Sequence, residues 1–146
     1  MNLAYVSRKN LLRLKKHAKE SFPNECIGVF ECYEDAGNFY ITNIFECKNV
    51  ARNKKISGLL PRKTLRSFNK MIKRGKRKGI LYGAYHSHPV SGATNIGEQD
   101  MHSGMIYNIF KLQIILGVKR RSIRTAFWQT KNGNWYRRGL KTRSIR

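Results

Sequence analysis

Apolar and polar residues recur along this chain with two different periods, and the changes of period mark its elements. Apolar residues repeat every three or four positions from Ser7 to Ser21, which predicts a helix with Ser7 as its N-cap. A second helical pattern begins at Pro61, a residue favoured in the first turn, and ends at Gly75 or Gly79. Both predicted helices carry an apolar stripe on one face and basic residues on the other.

Shorter segments rich in apolar residues and bounded by turn residues predict strands. The Asn132-Gly133 pair is a strong hairpin signal between the last two of them. Residues 98–109 are predicted as a third helix, and the basic residues 139–146 as a tail that frays. The predicted strands are residues 26–33, 39–47, 80–88, 111–118, 122–129 and 135–138.

This order of elements predicts one α/β (α+β) domain over residues 1–146, with a mixed, mostly antiparallel sheet flanked by helices. A chain of 146 residues is long enough for one modest core, and no linker or internal repeat divides it. The hydrophobic content of 40% is typical of a globular protein.

Composition also bears on where the protein works. No apolar run reaches the ~18 residues that a membrane span needs, and the first residues do not form a signal peptide. The three cysteines, Cys26, Cys32 and Cys47, are an odd number without paired spacing, which favours reduced, buried thiols. We therefore expect a cytoplasmic protein without a membrane partner.

The charge of the chain is strongly one-sided. Thirty Lys and Arg residues stand against eight Asp and Glu, a formal net charge of +22. This excess indicates either a solvated basic surface or a polyanionic partner, and it predicts at least nonspecific nucleic-acid affinity at low salt.

The candidate chemistry lies at His86-Ser87-His88-Pro89. If residues 80–88 are a strand, both imidazoles leave the same face, and Pro89 ends the strand because it has no N–H. An isolated His-x-His is also common as surface or hydrogen-bonded histidines. A carboxylate arriving from the following segment, at Asp100, completes three ligands and leaves one position for water, as in a catalytic zinc site. Iron and nickel fit the same ligand types.

His86-Ser87-His88-Pro89 and Asp100, with the upstream Pro23-Asn24-Glu25-Cys26-Ile27-Gly28, resemble the JAMM motif of the JAB1/MPN metalloprotease family. The resemblance covers most of the chain and implies the MPN, or cytidine-deaminase-like, fold. It implies Zn²⁺ bound by His86, His88 and Asp100, and Glu25 as the catalytic acid–base. The implied reaction is hydrolysis of a peptide or isopeptide bond after the C-terminal glycines of a ubiquitin-like or sulfur-carrier protein.

Two departures from the motif concern the segment before Asp100. The family usually carries Ser three residues before the Asp, where this chain has Gly97, and the loop from His88 to Asp100 is one residue longer than usual. Glu98 is therefore an alternative third ligand. A backbone N–H, Ser91, Thr94 or Ser103 are candidates to replace the missing hydroxyl.

Three functions follow as hypotheses. The first is a zinc-dependent metalloprotease or isopeptidase of the JAMM type. The second is a catalytically impaired MPN scaffold, which Gly97 and the longer loop favour. The third is a nucleic-acid-associated MPN protein that uses the basic surface. Of the other histidines, His17 on the basic face of the first helix is expected to be solvated, and His102 to lie at the surface.

Overall fold

A computed structural model describes residues 2–96 and 109–144. Within these residues the chain forms seven strands and two helices. Their order is β1 (Leu3–Val6), α1 (Arg8–Ser21), β2 (Ile27–Asp35), β3 (Asn38–Cys47), α2 (Arg62–Lys78), β4 (Ile80–His88), β5 (Leu112–Lys119), β6 (Ser122–Lys131) and β7 (Asn134–Thr142).

The strands form one closed barrel in the order β1-β3-β2-β4-β5-β6-β7. β1 pairs in parallel with both β3 and β7, and β4 pairs in parallel with β5; the other neighbours are antiparallel. The predicted fold class, a mixed sheet flanked by helices, is therefore wrong. The described residues form a strand-dominated closed barrel with two short helices.

β1 and the end of β7 are the physical reason for this correction. The four residues of β1 were not recognised as a strand, yet Ala4 and Val6 are fully buried, and both edges of β1 are paired. Leu3 to Val6 lie opposite Gly139 to Thr142, so residues predicted as a fraying tail complete the barrel. Closure leaves no free edge, because the first strand joins the last.

The barrel interior contains the larger of two apolar clusters. All seven strands contribute to it, and α1 adds Leu14 and Ala18. Phe127 contacts both Phe30 and Phe39, with ring centroids 6.0 and 5.3 Å apart. Residues from every strand meet here because alternate side chains of each strand point inward.

The second cluster lies between α2 and the outer face of β2 and β4. Leu65 and Phe68 of α2 pack with Ile27, Val29 and Ala84, which alternate along the two strands with the inward-facing residues. The Phe68 ring contacts the rings of three aromatic neighbours, Phe45, Tyr82 and Phe110. This packing fixes α2 on the face of the sheet that also carries the histidines.

Several predicted elements agree with the structure. Ser7 caps α1 by accepting a hydrogen bond from Asn10 N, and α2 ends at Gly79 in a left-handed conformation. The 80–88 strand has the predicted bounds. The predicted third helix, residues 98–109, falls almost wholly outside the described residues. No helix in residues 2–96 or 109–144 has the length and apolar content to cross a membrane.

Candidate metal centre

His86 and His88 are the last residues of β4 on its outer face. Tyr82 and Ala84 point to the same side of this strand, because side chains two residues apart share a face. The apolar face covered by α2 therefore leads directly to the two imidazoles. The His86 side chain is buried, with 5% of its surface exposed, and His88 is half-buried. Their Nε2 atoms are 3.1 Å apart.

This separation is that of a hydrogen bond between the two rings, and it is about 0.2–0.3 Å shorter than the separation of two nitrogen ligands of one zinc ion. With Zn–N bonds of about 2.0–2.1 Å, two nitrogen ligands of a tetrahedral site lie about 3.3–3.4 Å apart. His88 Nδ1 donates a hydrogen bond to the carbonyl of Ala93 at 2.9 Å, which leaves a lone pair on His88 Nε2. A backbone partner of this kind is typical of metal-binding histidines, because it fixes the ring and its tautomer.

Glu25 lies two residues before β2, the strand that pairs with β4. Ile27 of β2 is opposite His86, and Ser87 N donates to Cys26 O at 3.2 Å, so the contact between the two segments extends to Cys26, the residue after Glu25. Only 4% of the Glu25 surface is exposed. The structure therefore brings His86 and His88 together, and Glu25 directly precedes Cys26, which is bonded to the serine between them.

A loop over residues 48–61 holds the backbone of Glu25 in place. Glu25 N donates to Lys54 O at 2.6 Å, and Glu25 O accepts from Asn49 Nδ2 at 3.0 Å. The position of a Cβ at Gly58 is 3.6 Å from Glu25 Oε1, so the loop also passes close to the carboxylate. The loop therefore supports the Glu25 backbone and also lines the space beside the Glu25 carboxylate.

Asn49 organises this loop. Besides Glu25 O, its Nδ2 donates to Ser57 O at 2.9 Å, while its Oδ1 accepts from Ala51 N and Leu59 N at 3.0 and 3.1 Å. Asn49 is not predictable as a site residue from the sequence, because an Asn in a polar loop without periodicity carries no signal of the partners it bonds to in the fold.

Ser87, between the histidines, has a structural role. Because it lies between two outward-facing residues of a strand, it points inward; it is fully buried and accepts a hydrogen bond from Cys26 N at 2.7 Å. This contact joins the ends of β2 and β4 below the site. Burial raises the pKa of Cys26 to about 12, so its thiol stays protonated at neutral pH.

Tyr85 connects the site strand to α1. Its ring passes over Gly28, where an added Cβ would lie 2.3 Å from ring atoms, and its hydroxyl is 2.7 Å from His17 Nδ1. Burial raises the pKa of Tyr85 far above its ordinary value. Burial also lowers the pKa of His17, against smaller opposing effects of Glu46 and Glu20. The expectation that His17 is solvated is wrong, because it is half-buried and bonded to Tyr85.

The loop that follows His88 folds back onto the barrel. Its Thr94 carbonyl accepts a hydrogen bond from Trp128 Nε1 at 2.9 Å. A Cβ at Gly117, the residue paired with His88, would lie 2.3 Å from Gly92 O, so this close approach requires glycine. These contacts fix the Ala93 carbonyl that orients His88.

A groove of about 670 Å³ opens beside Pro89, on the side of the loop next to α1. Its exposed apolar residues are Phe22 and Val90, with 56% and 69% of their surfaces exposed. Four of its other lining residues are basic: Lys19, Lys119, Arg120 and Arg121. The groove therefore offers both apolar contact and positive charge beside the loop that follows His88.

The remaining predicted site residues lie outside the described residues. These are Asp100, its alternative Glu98, and Gly97, with His102 and Ser103 beyond them. Among residues 2–96 and 109–144, no group of three or more His, Cys, Asp or Glu side chains is arranged to hold a metal ion. Of the predicted ligands, the described part of the chain therefore contains only His86 and His88.

A scan against family models matches residues 7–94 to the prokaryotic homologs of the JAB domain. This match covers more than half of the chain and includes Glu25, His86 and His88, and it ends before Asp100. The chain therefore belongs to the prokaryotic JAB-domain family, as the His-Ser-His-Pro motif predicts.

Among solved structures, the chain is similar to the solution structure of protein DSY2949 from Desulfitobacterium hafniense. The TM-score is 0.72 at 14% sequence identity, over 98% of this chain and 94% of that one. At this identity the likeness supports the fold alone. No curated protein matches the chain significantly.

Proposed function

We propose that this JAB-domain protein is a zinc-dependent metallopeptidase that hydrolyses a peptide or isopeptide bond. One observation carries the proposal. Two histidine Nε2 atoms lie 3.1 Å apart at the end of β4, and the nearly buried Glu25 lies two residues before Ile27, which pairs with His86. Two converging imidazoles beside a buried carboxylate match the chemistry of a catalytic zinc site.

In this proposal His86 and His88 hold the ion, and Asp100 is the third ligand, with Glu98 as the alternative. Zinc, when bound, acidifies a water molecule and polarises the substrate carbonyl. Glu25 accepts the proton of the attacking water and then delivers it to the leaving amine. The Lys54 and Asn49 contacts on both sides of its backbone keep the carboxylate in position for this transfer.

The expected rate of hydrolysis depends on Gly97. Where the family usually has a Ser that stabilises the oxyanion, this chain has no side chain. Losing one oxyanion donor costs about 2.7–4 kcal/mol, or about 10²–10³-fold in rate. We therefore propose a slow enzyme unless a backbone N–H or the hydroxyl of Ser91, Thr94 or Ser103 replaces the missing donor.

The proposed substrate is a ubiquitin-like or sulfur-carrier protein that ends in glycines. The groove beside Pro89 supports a polypeptide substrate, since it is open, apolar at Phe22 and Val90, and continuous with the loop that orients His88. Its basic residues favour a substrate with acidic side chains near the cleaved bond.

Metal content tests the first half of the proposal. We expect about one zinc per chain by elemental analysis of the purified protein supplied with zinc. His88→Ala and Asp100→Ala should lose it, and Glu98→Ala should keep it. Loss with Glu98→Ala alone would make Glu98 the third ligand, and a wild type without zinc would favour a scaffold that does not catalyse.

Hydrolysis tests the second half, with a ubiquitin-like protein joined through its C-terminal glycine to a fluorescent reporter. Glu25→Gln should retain zinc and lose cleavage, whereas the control Glu34→Gln, on the exposed end of β2, should keep both. Cleavage by Glu25→Gln at the wild-type rate would refute the role of Glu25. Bound zinc without cleavage by the wild type would favour the scaffold.

A further inference from the structure

The exposed face of α2 is almost entirely cationic. Eleven residues of this helix are exposed, and nine of them are Lys or Arg; the other two are Ser67 and Asn69. The helix contains no Asp or Glu. The nine cations, called the α2 basic face below, are Arg62, Lys63, Arg66, Lys70, Lys73, Arg74, Lys76, Arg77 and Lys78.

Within the residues that the structure describes, this charge is not compensated. The two described ion pairs, Arg13–Glu46 and Lys16–Glu20, both involve α1 rather than α2. Cations in the last turn of a helix are favoured by its dipole, but those in the first turn, Arg62 and Lys63, are not.

Repulsion between like charges along the helix also opposes its stability. Like charges four residues apart destabilise a helix, and α2 contains five such pairs. These are Arg62/Arg66, Arg66/Lys70, Lys70/Arg74, Lys73/Arg77 and Arg74/Lys78. The arrangement opposes the stability of α2 alone, so its benefit is expected in contact with a polyanion, which relieves the repulsion.

We propose that the α2 basic face binds the phosphate backbone of nucleic acid without reading its sequence. An acidic protein is the other polyanion to consider. Protein interfaces have an apolar or aromatic core and are depleted in lysine, but no apolar residue is exposed on α2. Nucleic-acid backbones require only closely spaced cations and hydrogen-bond donors, which is all that this face offers.

The dimensions of the face agree with this partner. Lys63, Arg66, Lys70, Arg74 and Arg77 form its central row, because successive members are three or four residues apart. At about 1.5 Å per residue the row is about 21 Å long, which is the rise of about six nucleotides of one duplex strand. A single helix therefore presents five cations along about six phosphates.

The row is also held rigidly. The opposite face of α2 packs Leu65 and Phe68 against the barrel, and the helix ends at Gly79, where β4 begins. The cations are therefore displayed on a fixed support, and binding does not require the helix to fold. This binding does not depend on metal or on the proposed hydrolysis.

The test compares two triple variants of the full chain with equal charge. One changes three lysines of the α2 basic face (Lys63→Gln, Lys70→Gln, Lys73→Gln). The control changes three exposed lysines elsewhere (Lys9→Gln, Lys131→Gln, Lys141→Gln). Fluorescence anisotropy with labelled single-stranded and duplex DNA is measured over a range of salt that includes about 150 mM. Circular dichroism confirms that each variant is folded.

We expect the slope of log K against log salt to fall in magnitude by about 2–3 in the α2 variant, or about 0.7–0.9 for each lost contact. This corresponds to a loss in affinity of about 100-fold near 150 mM salt, whereas the control should lose less than about 3-fold. Polyglutamate at the same charge concentration should not displace the DNA.

Two results would overturn the proposal. Equal weakening by both triple variants would mean that the net charge, rather than α2, causes the affinity. Displacement by polyglutamate as effective as by unlabelled DNA would indicate an acidic protein partner instead. Which of the two DNA forms binds more tightly then identifies the form that the face prefers.

Discussion

Asn49 is the residue whose removal should affect the site most without touching a candidate ligand. Asn49→Ala removes four hydrogen bonds at once: two donated by Nδ2, to the Glu25 and Ser57 carbonyls, and two accepted by Oδ1, from Ala51 N and Leu59 N. The loop over residues 48–61 then loses the three hydrogen bonds that Asn49 makes within it and one of its two described hydrogen bonds to the Glu25 backbone.

The size of the effect follows from these bonds. Each contributes about 0.5–1.5 kcal/mol net, and a half-buried site allows water to replace part of the loss. We expect the free energy of unfolding to fall by about 2–3 kcal/mol. For a chain of this size each kcal/mol lowers Tm by about 2–4 °C, so the expected loss is about 4–12 °C.

Thermal unfolding and amide hydrogen exchange measure the two parts of this prediction. Exchange at Ala51, Leu59 and Glu25 should be faster, since their N–H groups are bonded within this loop or to it. Asn49→Asp keeps the acceptor and loses both donors, so it should free the Glu25 carbonyl while keeping part of the loop closure. Asn43→Ala, which removes one exposed hydrogen bond to Glu31, is the matched control and should cost less than about 0.5 kcal/mol.

The reasoning fails if Asn49→Ala lowers Tm no more than Asn43→Ala. It also fails if exchange at Glu25 is unchanged, because the loop would then hold Glu25 by other means. If stability falls but zinc content is kept, the loop supports Glu25 without shaping the histidine pair.

Three further predictions concern the interior beside the site. Gly28→Ala should cost at least about 2 kcal/mol in chemical denaturation, because its Cβ would lie 2.3 Å from the Tyr85 ring; a cost below about 0.5 kcal/mol would contradict this packing. Because burial lowers the pKa of His17 below the 6.5 of the unfolded chain, stability should fall as the pH drops from about 6.5 toward the folded pKa. The Tm of the wild type minus that of His17→Gln should therefore decrease as the pH drops over this range. A constant difference would refute the lowered pKa of His17. Burial raises the pKa of Cys26 to about 12 and of Cys47 to about 11, so both thiols should resist alkylation by iodoacetamide at neutral pH until the protein is unfolded. Mass spectrometry measures the extent of alkylation, and rapid alkylation of the native protein would contradict the prediction.

The elements of this fold that have a local signature were predictable. Ser7 as a cap, Gly79 as a terminator and the bounds of β4 are each encoded within a few residues of the element itself. Barrel closure has no such signature. It depends on β1 pairing with residues 139–142 at the other end of the chain, and four residues are too few for a periodic pattern.

The same distinction applies to the site. The parity of His86 and His88 follows from the period of a strand, so their common face was predictable. The role of Glu25 is implied only by a family resemblance; the structure shows that Glu25 is nearly buried and lies two residues before Ile27, which pairs with His86. Asn49 has no such signature, since a loop without periodicity does not indicate which of its residues will bond to one another, and its fourth partner, Glu25, is brought to it only by the fold.

The β2–β4 pairing determines the site and the core together, because alternate residues of the same two strands serve each. Glu25, His86 and His88 face outward, while Cys26 and Ser87 face inward and bond to each other below them. A shift of one residue in register would turn the imidazoles toward the interior and the serine outward. Substitutions in the interior at this end of the barrel should therefore disturb the histidine pair as well as lower stability. A stabilised core with an unchanged register should leave the histidine pair intact.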